Sequence, residues 1–375
     1  MKFSCEKSLL LPAINTASRA TTPKSSIPAL EGVLIEADTE VRITGYNLET
    51  GIRTVVPAEV REEGSLVLSA RKIGDIVKNL PDDMVNITTD GLSVHIQCGD
   101  VHYNIQGIDP EEFPELPTVE PQNALVLTQA TLGDMINRTL FAVSNNDGRP
   151  ILTGSLFEVV GDVLTVVSVD GQRLALRREK LEEAPGKDFS FVVPGAALGE
   201  IRGICSDSEE TVSITTGARH ILFRVGSTLL VTRRLEGEFL NYRQSISWKS
   251  NISFTADVRS VITSINRVAL ILQENAKTPL RCIVGENMLY LSSVTPTGDA
   301  SDQCPIAGGG DDLHIGFNHR FMLDALKAVP TDSAKFLMGT PSTPCIIVPE
   351  DQPEGEEEFL FMVLPVRMSA TWDKR

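Results

Sequence analysis

Val85-Asn86-Ile87-Thr88-Thr89 recurs 127 residues later as Val212-Ser213-Ile214-Thr215-Thr216, and Glu112-Phe113 recurs as Glu238-Phe239 at an offset of 126. Two unrelated fragments whose offsets agree within one residue mark a long-period internal repeat, which constrains the fold more than any local propensity does. The helical pattern keeps the same spacing. Ile73, Ile76, Val77 and Leu80 follow the apolar run 66–68; Leu198, Ile201 and Cys205 follow 189–194; Met322, Ala325, Leu326 and Val329 follow 313–317. Each unit also opens on an extended segment that leads into an amphipathic stretch, at 2–4 into Leu9 to Ala17, at 125–127 into Leu132 to Leu140, and at 252–254 into Val258 to Val268. Between these windows apolar and polar residues alternate with strand period, as in Ser93-Val94-His95-Ile96-Gln97. The spacing therefore predicts an α+β chain of three tandem similar domains, each with two helices on antiparallel sheet. The boundaries are set at 1–121, 122–249 and 250–375 by the polar joints around Pro121 and Lys249.

Composition fits that plan. The 375 residues are 42% hydrophobic and 22% charged, ordinary for globular domains and too long for one core. No window approaches the eighteen apolar residues of a membrane helix, and the Leu9-Leu10-Leu11-Pro12 run lacks a small-residue cleavage site, so no membrane partner and a cytoplasmic address are expected. The net charge of −16 argues against a broad basic surface. Its distribution qualifies that: the six helix-like windows (5–20, 69–80, 130–142, 195–204, 257–272, 318–328) hold eleven Lys or Arg against six Asp or Glu, a surplus of five, leaving −21 elsewhere. With one stripe of each helix on a sheet, the cations are expected on the outward faces, where they can attract phosphate.

Catalytic and metal motifs are missing. There is no GxGxxG, GxxxxGK[ST], GxSxG, HExxH or EF-hand spacing, and the six cysteines stand singly, the nearest pair 22 residues apart, as buried reduced thiols would. His95 and His102 flank a turn at Cys98-Gly99-Asp100 but have no carboxylate at ligand spacing. Gly308-Gly309-Gly310 reads as a flexible hairpin loop, and Glu354 with Glu356 to Glu358 as a solvated acidic turn. Asp170, in Val169-Asp170-Gly171, is the one candidate acid by context, and Asp-Gly there suits a tight turn. No catalytic residue, metal or cofactor is expected.

These features, with Ser168-Val169-Asp170-Gly171-Gln172-Arg173-Leu174-Ala175, Gly237-Glu238-Phe239-Leu240-Asn241-Tyr242 and Leu364-Pro365-Val366-Arg367, resemble the bacterial DNA polymerase III β subunit family, the sliding clamps, from Met1 to Arg367. The resemblance implies a non-catalytic processivity factor of DNA replication: a head-to-tail homodimer, a six-domain ring around double-stranded DNA without sequence preference. Encirclement would replace tight phosphate contact, which resolves the acidic total. It also implies a pocket for linear peptides of the replicative DNA polymerase, the clamp loader and repair proteins, formed here by Val169, Gly171, Arg173, Leu174, Leu240, Ser245, Met362, Leu364, Pro365, Val366 and Arg367. Arginine there could bond a peptide carbonyl or carboxylate. By the same resemblance, Lys24, Arg71, Arg149 and Lys277 face DNA, and Tyr103 and Ile105 meet Leu270 and Ile271 of a second copy.

Two features depart from the family. Leu240 stands where proline is common, and the chain continues past the Pro-x-Arg strand with Ser369-Ala370-Thr371-Trp372-Asp373-Lys374-Arg375, which reads either as a disordered tail or as one whose Trp372 folds back over part of the pocket and competes weakly with partners. Two rival readings are a hydrolase acting through Asp170 and a repeat scaffold with no DNA role.

Overall fold

The computed structural model describes residues 1–146, 148–247, 250–272, 278–353 and 358–368, with the Asp311 side chain also outside the description. Lys277, Trp372 with the rest of 369–375, and Glu354, Glu356 and Glu357 thus lie outside the described residues. Among those described there are seven α-helices: α1 (Lys7–Ser18), α2 (Ala70–Asn79), α3 (Gln129–Thr139), α4 (Gly195–Ile204), α5 (Tyr242–Ile246), α6 (Val258–Ala269) and α7 (His319–Ala328). Six match the windows read from the sequence. The five-residue α5 has no such window, because it is too short to display a 3.6-residue period.

Several of the helices begin at a residue whose side chain accepts a first-turn amide, whereas α1 begins at Glu6 without one. Thr128 accepts from the Thr131 N–H at 3.1 Å, Asp257 from Ser260 at 2.7 Å, and Asn318 from Arg320 at 3.0 Å. The two copies of the repeated pentapeptide occupy equivalent places. In the first repeat Phe3 pairs opposite Ile87; in the second, Leu125 pairs opposite Ile214. The third repeat has the same pairing, Phe254 opposite Phe336, in a segment that keeps the strand pattern but not the residues.

Contacts group the chain into two compact units. The first comprises Met1–Gly133 with Ala196–Arg234, and the second Asp134–Gly195 with Leu235–Arg375, so the middle repeat contributes to both. The first unit holds a five-stranded sheet that ends on the edge strand Val101–Gln106. It also holds an eight-stranded sheet in which Thr228–Arg233 of the second repeat pairs with Thr50–Val56 of the first. The second unit holds a ten-stranded sheet, joined across repeats where Arg173–Lys180 pairs with Phe359–Val363 and ending on the edge strand Leu280–Thr295. All of these pairings are antiparallel, as the alternating sequence pattern requires.

One expectation is corrected. Gly308 to Gly310 form no hairpin loop; they lie inside the strand Gly298–Phe317, whose actual turn is at Thr295–Gly298. Here the strand pairs with both Ile252–Asp257 and Leu280–Thr295 and its register shifts. All three glycines have positive φ, and a Cβ on Gly309 would lie 2.4 Å from the Gly285 carbonyl oxygen, which excludes any side chain there.

Candidate functional site

In the second unit, strand register sets Val169 opposite Leu174, Leu174 opposite Met362 and Met362 opposite Ile346. Directly opposed residues share a sheet face, so these four form an apolar row across four strands. They belong to one buried cluster with Tyr242, against which Phe239, Ile246 and Leu364 pack partly exposed. Leu240 at the entrance to α5 is 43% exposed, and Ser245 within α5 is half-buried. α5, through Ile246, and Leu364 border this buried row.

α5 is fastened from below. The Tyr242 hydroxyl donates to a Glu158 carboxylate oxygen at 2.6 Å and Arg243 pairs with the same carboxylate. Burial, then the bond to Glu158, holds the Tyr242 hydroxyl well above the usual phenol range. At the other border, Leu364 N–H donates to the Gln172 carbonyl and Val366 N–H to the Gly316 carbonyl, each at 2.8 Å. These two bonds string Leu364, Pro365 and Val366 between the Asp170–Arg173 turn and the third repeat. Arg367 beyond them is exposed.

Asp170 is occupied. Its carboxylate accepts from the Gln172 and Arg173 amides at 2.8 and 3.0 Å and from Arg173 Nε at 2.8 Å, and Gly171 between them takes φ +91. It closes a turn, as its Asp-Gly context suggests, and this leaves no basis for a hydrolase built on it. Arg173 is held as well. Its side chain is only 10% exposed; Nη1 donates to Asp324 at 2.6 Å and the guanidinium lies 4.3 Å from the Phe321 ring centre. It is a buried strut. Asp324, Phe321, Glu158 and Tyr242 escape a reading of the sequence, since no local pattern ties Arg173 to a partner 151 residues away.

In the first unit the α2 face is cationic. Arg71, Lys72 and Lys78 are exposed, with Arg71 only 3.9 Å from Asp75. Lys24 and Arg149 are exposed too, each in its own unit. Four other helix cations are bound within the fold. Lys7 binds the Leu80 carbonyl and Asp82, Arg19 binds Glu200, Arg138 binds Asp134 and the Ala328 carbonyl, and Arg267 binds Asp302. The free positive surface is therefore smaller than the sequence surplus suggests.

Tyr103 and Ile105 are half-buried on the edge strand Val101–Gln106, whereas Leu270 at the end of α6 is 85% exposed beside half-buried Ile271. His95 and His102 stack at 6.0 Å. Among the described residues no cluster of His, Cys, Asp or Glu could hold a metal ion, and no helix is long and apolar enough to cross a membrane.

Comparison with known families accounts for nearly the whole chain. Residues 1–117, 126–241 and 244–365 match the N-terminal, central and C-terminal domains of the DNA polymerase III beta subunit. The chain belongs to that family. The beta sliding clamp of Halalkalibacterium halodurans is 31% identical over 98% of this chain and 100% of its own, and that of Staphylococcus aureus Mu50 is 30% identical over 98% and 99%. The crystal structure of the Bacillus subtilis DNA polymerase sliding clamp superposes with a TM-score of 0.93 at 28% identity, covering 98% of this chain and all of that one. Its three tandem antiparallel-sheet domains are those of the family, and the chain is a DNA sliding clamp, a non-catalytic processivity subunit of DNA polymerase III.

Proposed function

We propose that two copies of this chain close head to tail into a ring around duplex DNA in the cytoplasm. The apolar row of the second unit then serves as the docking groove for linear peptides of the replicative polymerase, the clamp loader and repair proteins. The observation that carries the groove is the apolar row Val169, Leu174, Met362, Ile346, bordered by the partly exposed Phe239, Ile246 and Leu364 and by the exposed Leu240. For the ring, the support is two of the sheet-terminal strands, Val101–Gln106 and Leu280–Thr295, together with Leu270. A contact between these two unlike edges that closes after two copies removes both as open edges and buries Tyr103, Ile105, Leu270 and Ile271. Domains bounded near 121 and 249 then become six around the hole. Lys24, Arg71 and Arg149 meet phosphates without reading bases, a weak contact that permits sliding.

The test is topological. Protein loaded onto nicked circular DNA stays bound while the circle is intact and runs off once it is cut. Equal release from both forms would replace encirclement with groove binding.

A further inference from the structure

We infer that Asp324 is a positioning residue for the groove: through Arg173 it holds the rim on which a peptide would lie, and Arg173 itself is withheld from the peptide. This rests on the reading of the groove as the peptide site.

The bonds form a continuous chain from one repeat to the next. Asp324 on α7 accepts from Arg173 Nη1 at 2.6 Å, and Arg173 Nε donates to Asp170 at 2.8 Å. Asp170 accepts the amides of Gln172 and Arg173, fixing the turn, and the Gln172 carbonyl receives the Leu364 N–H at 2.8 Å. α7 therefore reaches the groove's second rim through four linked groups, while the only covalent route between Arg173 and Asp324 is 151 residues long. Phe321, one turn before Asp324 on α7, lies 4.3 Å beneath the guanidinium, and Phe141 lies 5.5 Å away, so aromatic rings hold its plane as well.

Electrostatics sets the consequence for specificity. One guanidinium faces two carboxylates, so the set carries a net negative charge, with Arg173 10% and Asp170 14% exposed. Geometry and charge both disfavour an acidic peptide side chain at this point. Binding at this rim comes from apolar anchors and from backbone that Leu364 to Val366 present, and it is nearly independent of salt.

The two possible roles of Arg173 predict opposite signs for one substitution. In D324N a strut loses its partner, and affinity falls about three- to tenfold. Were Arg173 instead a direct ligand for a peptide carboxylate, D324N would release it and tighten binding. The probe is the tightest-binding capped peptide from an overlapping set spanning the replicative polymerase, measured by fluorescence anisotropy on the full-length clamp from about 0.05 to about 0.5 M NaCl. The expected result is weaker binding in D324N and in R173Q, a double variant no worse than either single one, partial rescue in D324E, and a flat salt dependence throughout. Hydrogen exchange of the Leu364 amide should quicken in D324N without peptide, by more than the fall in global stability accounts for. Tighter binding in D324N, additive losses in the double variant, or unchanged exchange would overturn the assignment. Met362→Ala serves as the separate check on the groove: if it weakens the peptide while D324N does not, only the positioning role fails; if it leaves binding intact, the groove reading itself fails.

Discussion

The groove of the second unit and the α2 face of the first are built on contrary principles. At the groove, apolar side chains are buried in register, and the charged groups beside them, Arg173 and Glu158, are tied to fixed partners. On α2, Arg71, Lys72 and Lys78 stand in solvent, and the nearest carboxylate to Arg71 is 3.9 Å away. A surface meant to hold a partner gains from preorganised shape, because every ordered group lowers the entropic cost of binding. A surface meant to let a polyanion pass gains from mobile, screened charge. Substitutions should separate the two.

Met362→Ala removes a buried side chain from the middle of the row, so stability should fall by about 2–5 kcal/mol, and peptide affinity by at least about tenfold. Denaturant unfolding and anisotropy measure these; a loss of affinity without a loss of stability would mean Met362 is not part of the buried row. Next in size, the triple change Arg71→Gln, Lys72→Gln, Lys78→Gln should leave peptide binding untouched. It should lower the log–log salt slope of DNA association by roughly one unit for each phosphate contact removed, up to about three. An unchanged slope would mean that α2 does not face DNA.

The sharpest contrast is one substitution with opposite signs. Gly171 has φ +91, where alanine is strained, so Gly171→Ala should cost about 1–2 kcal/mol and weaken the turn that carries Arg173. Gly74 lies inside α2, and a Cβ there meets nothing nearer than the Ile14 methyl at 3.9 Å, so Gly74→Ala should stabilise by about 0.5–1 kcal/mol. Thermal melts compare the two directly.

Tyr242 gives the smallest effect. Its hydroxyl is raised above the ordinary value near 10 by burial and the bond to Glu158, so the folded chain holds that proton when the unfolded chain releases it. The stabilisation is complete below about pH 10 and is lost as pH rises above it. Absorbance titration should show Tyr46 and Tyr242 ionising later than the other tyrosines, and Tyr242→Phe should remove one of the two lags.

Much of the architecture is legible in the residues themselves. The 127-residue offset and the 3.6-residue stripes place six helices and the three repeats, because burial on a sheet imposes a periodicity that survives in one dimension. α5 is too short to impose one. Gly308 to Gly310 mislead because a glycine run looks the same whether it ends a strand or lets one strand serve two neighbours. The third copy of the repeated pentapeptide keeps its pattern and loses its residues, so only pairing with Ile252–Asp257 reveals it.

Residue types and their periods alone determined the class of fold, its threefold repetition, and which faces would be apolar or charged, since these follow from local geometry and from the need to bury apolar area. What the tertiary structure decided was partnership. It joined Leu174 to Met362, closed Arg173 between Asp170 and Asp324, and tied Lys7 and Arg138 to carbonyls while leaving Arg71 exposed. Register and long-range pairing depend on distances between segments far apart in the chain, which no local pattern encodes.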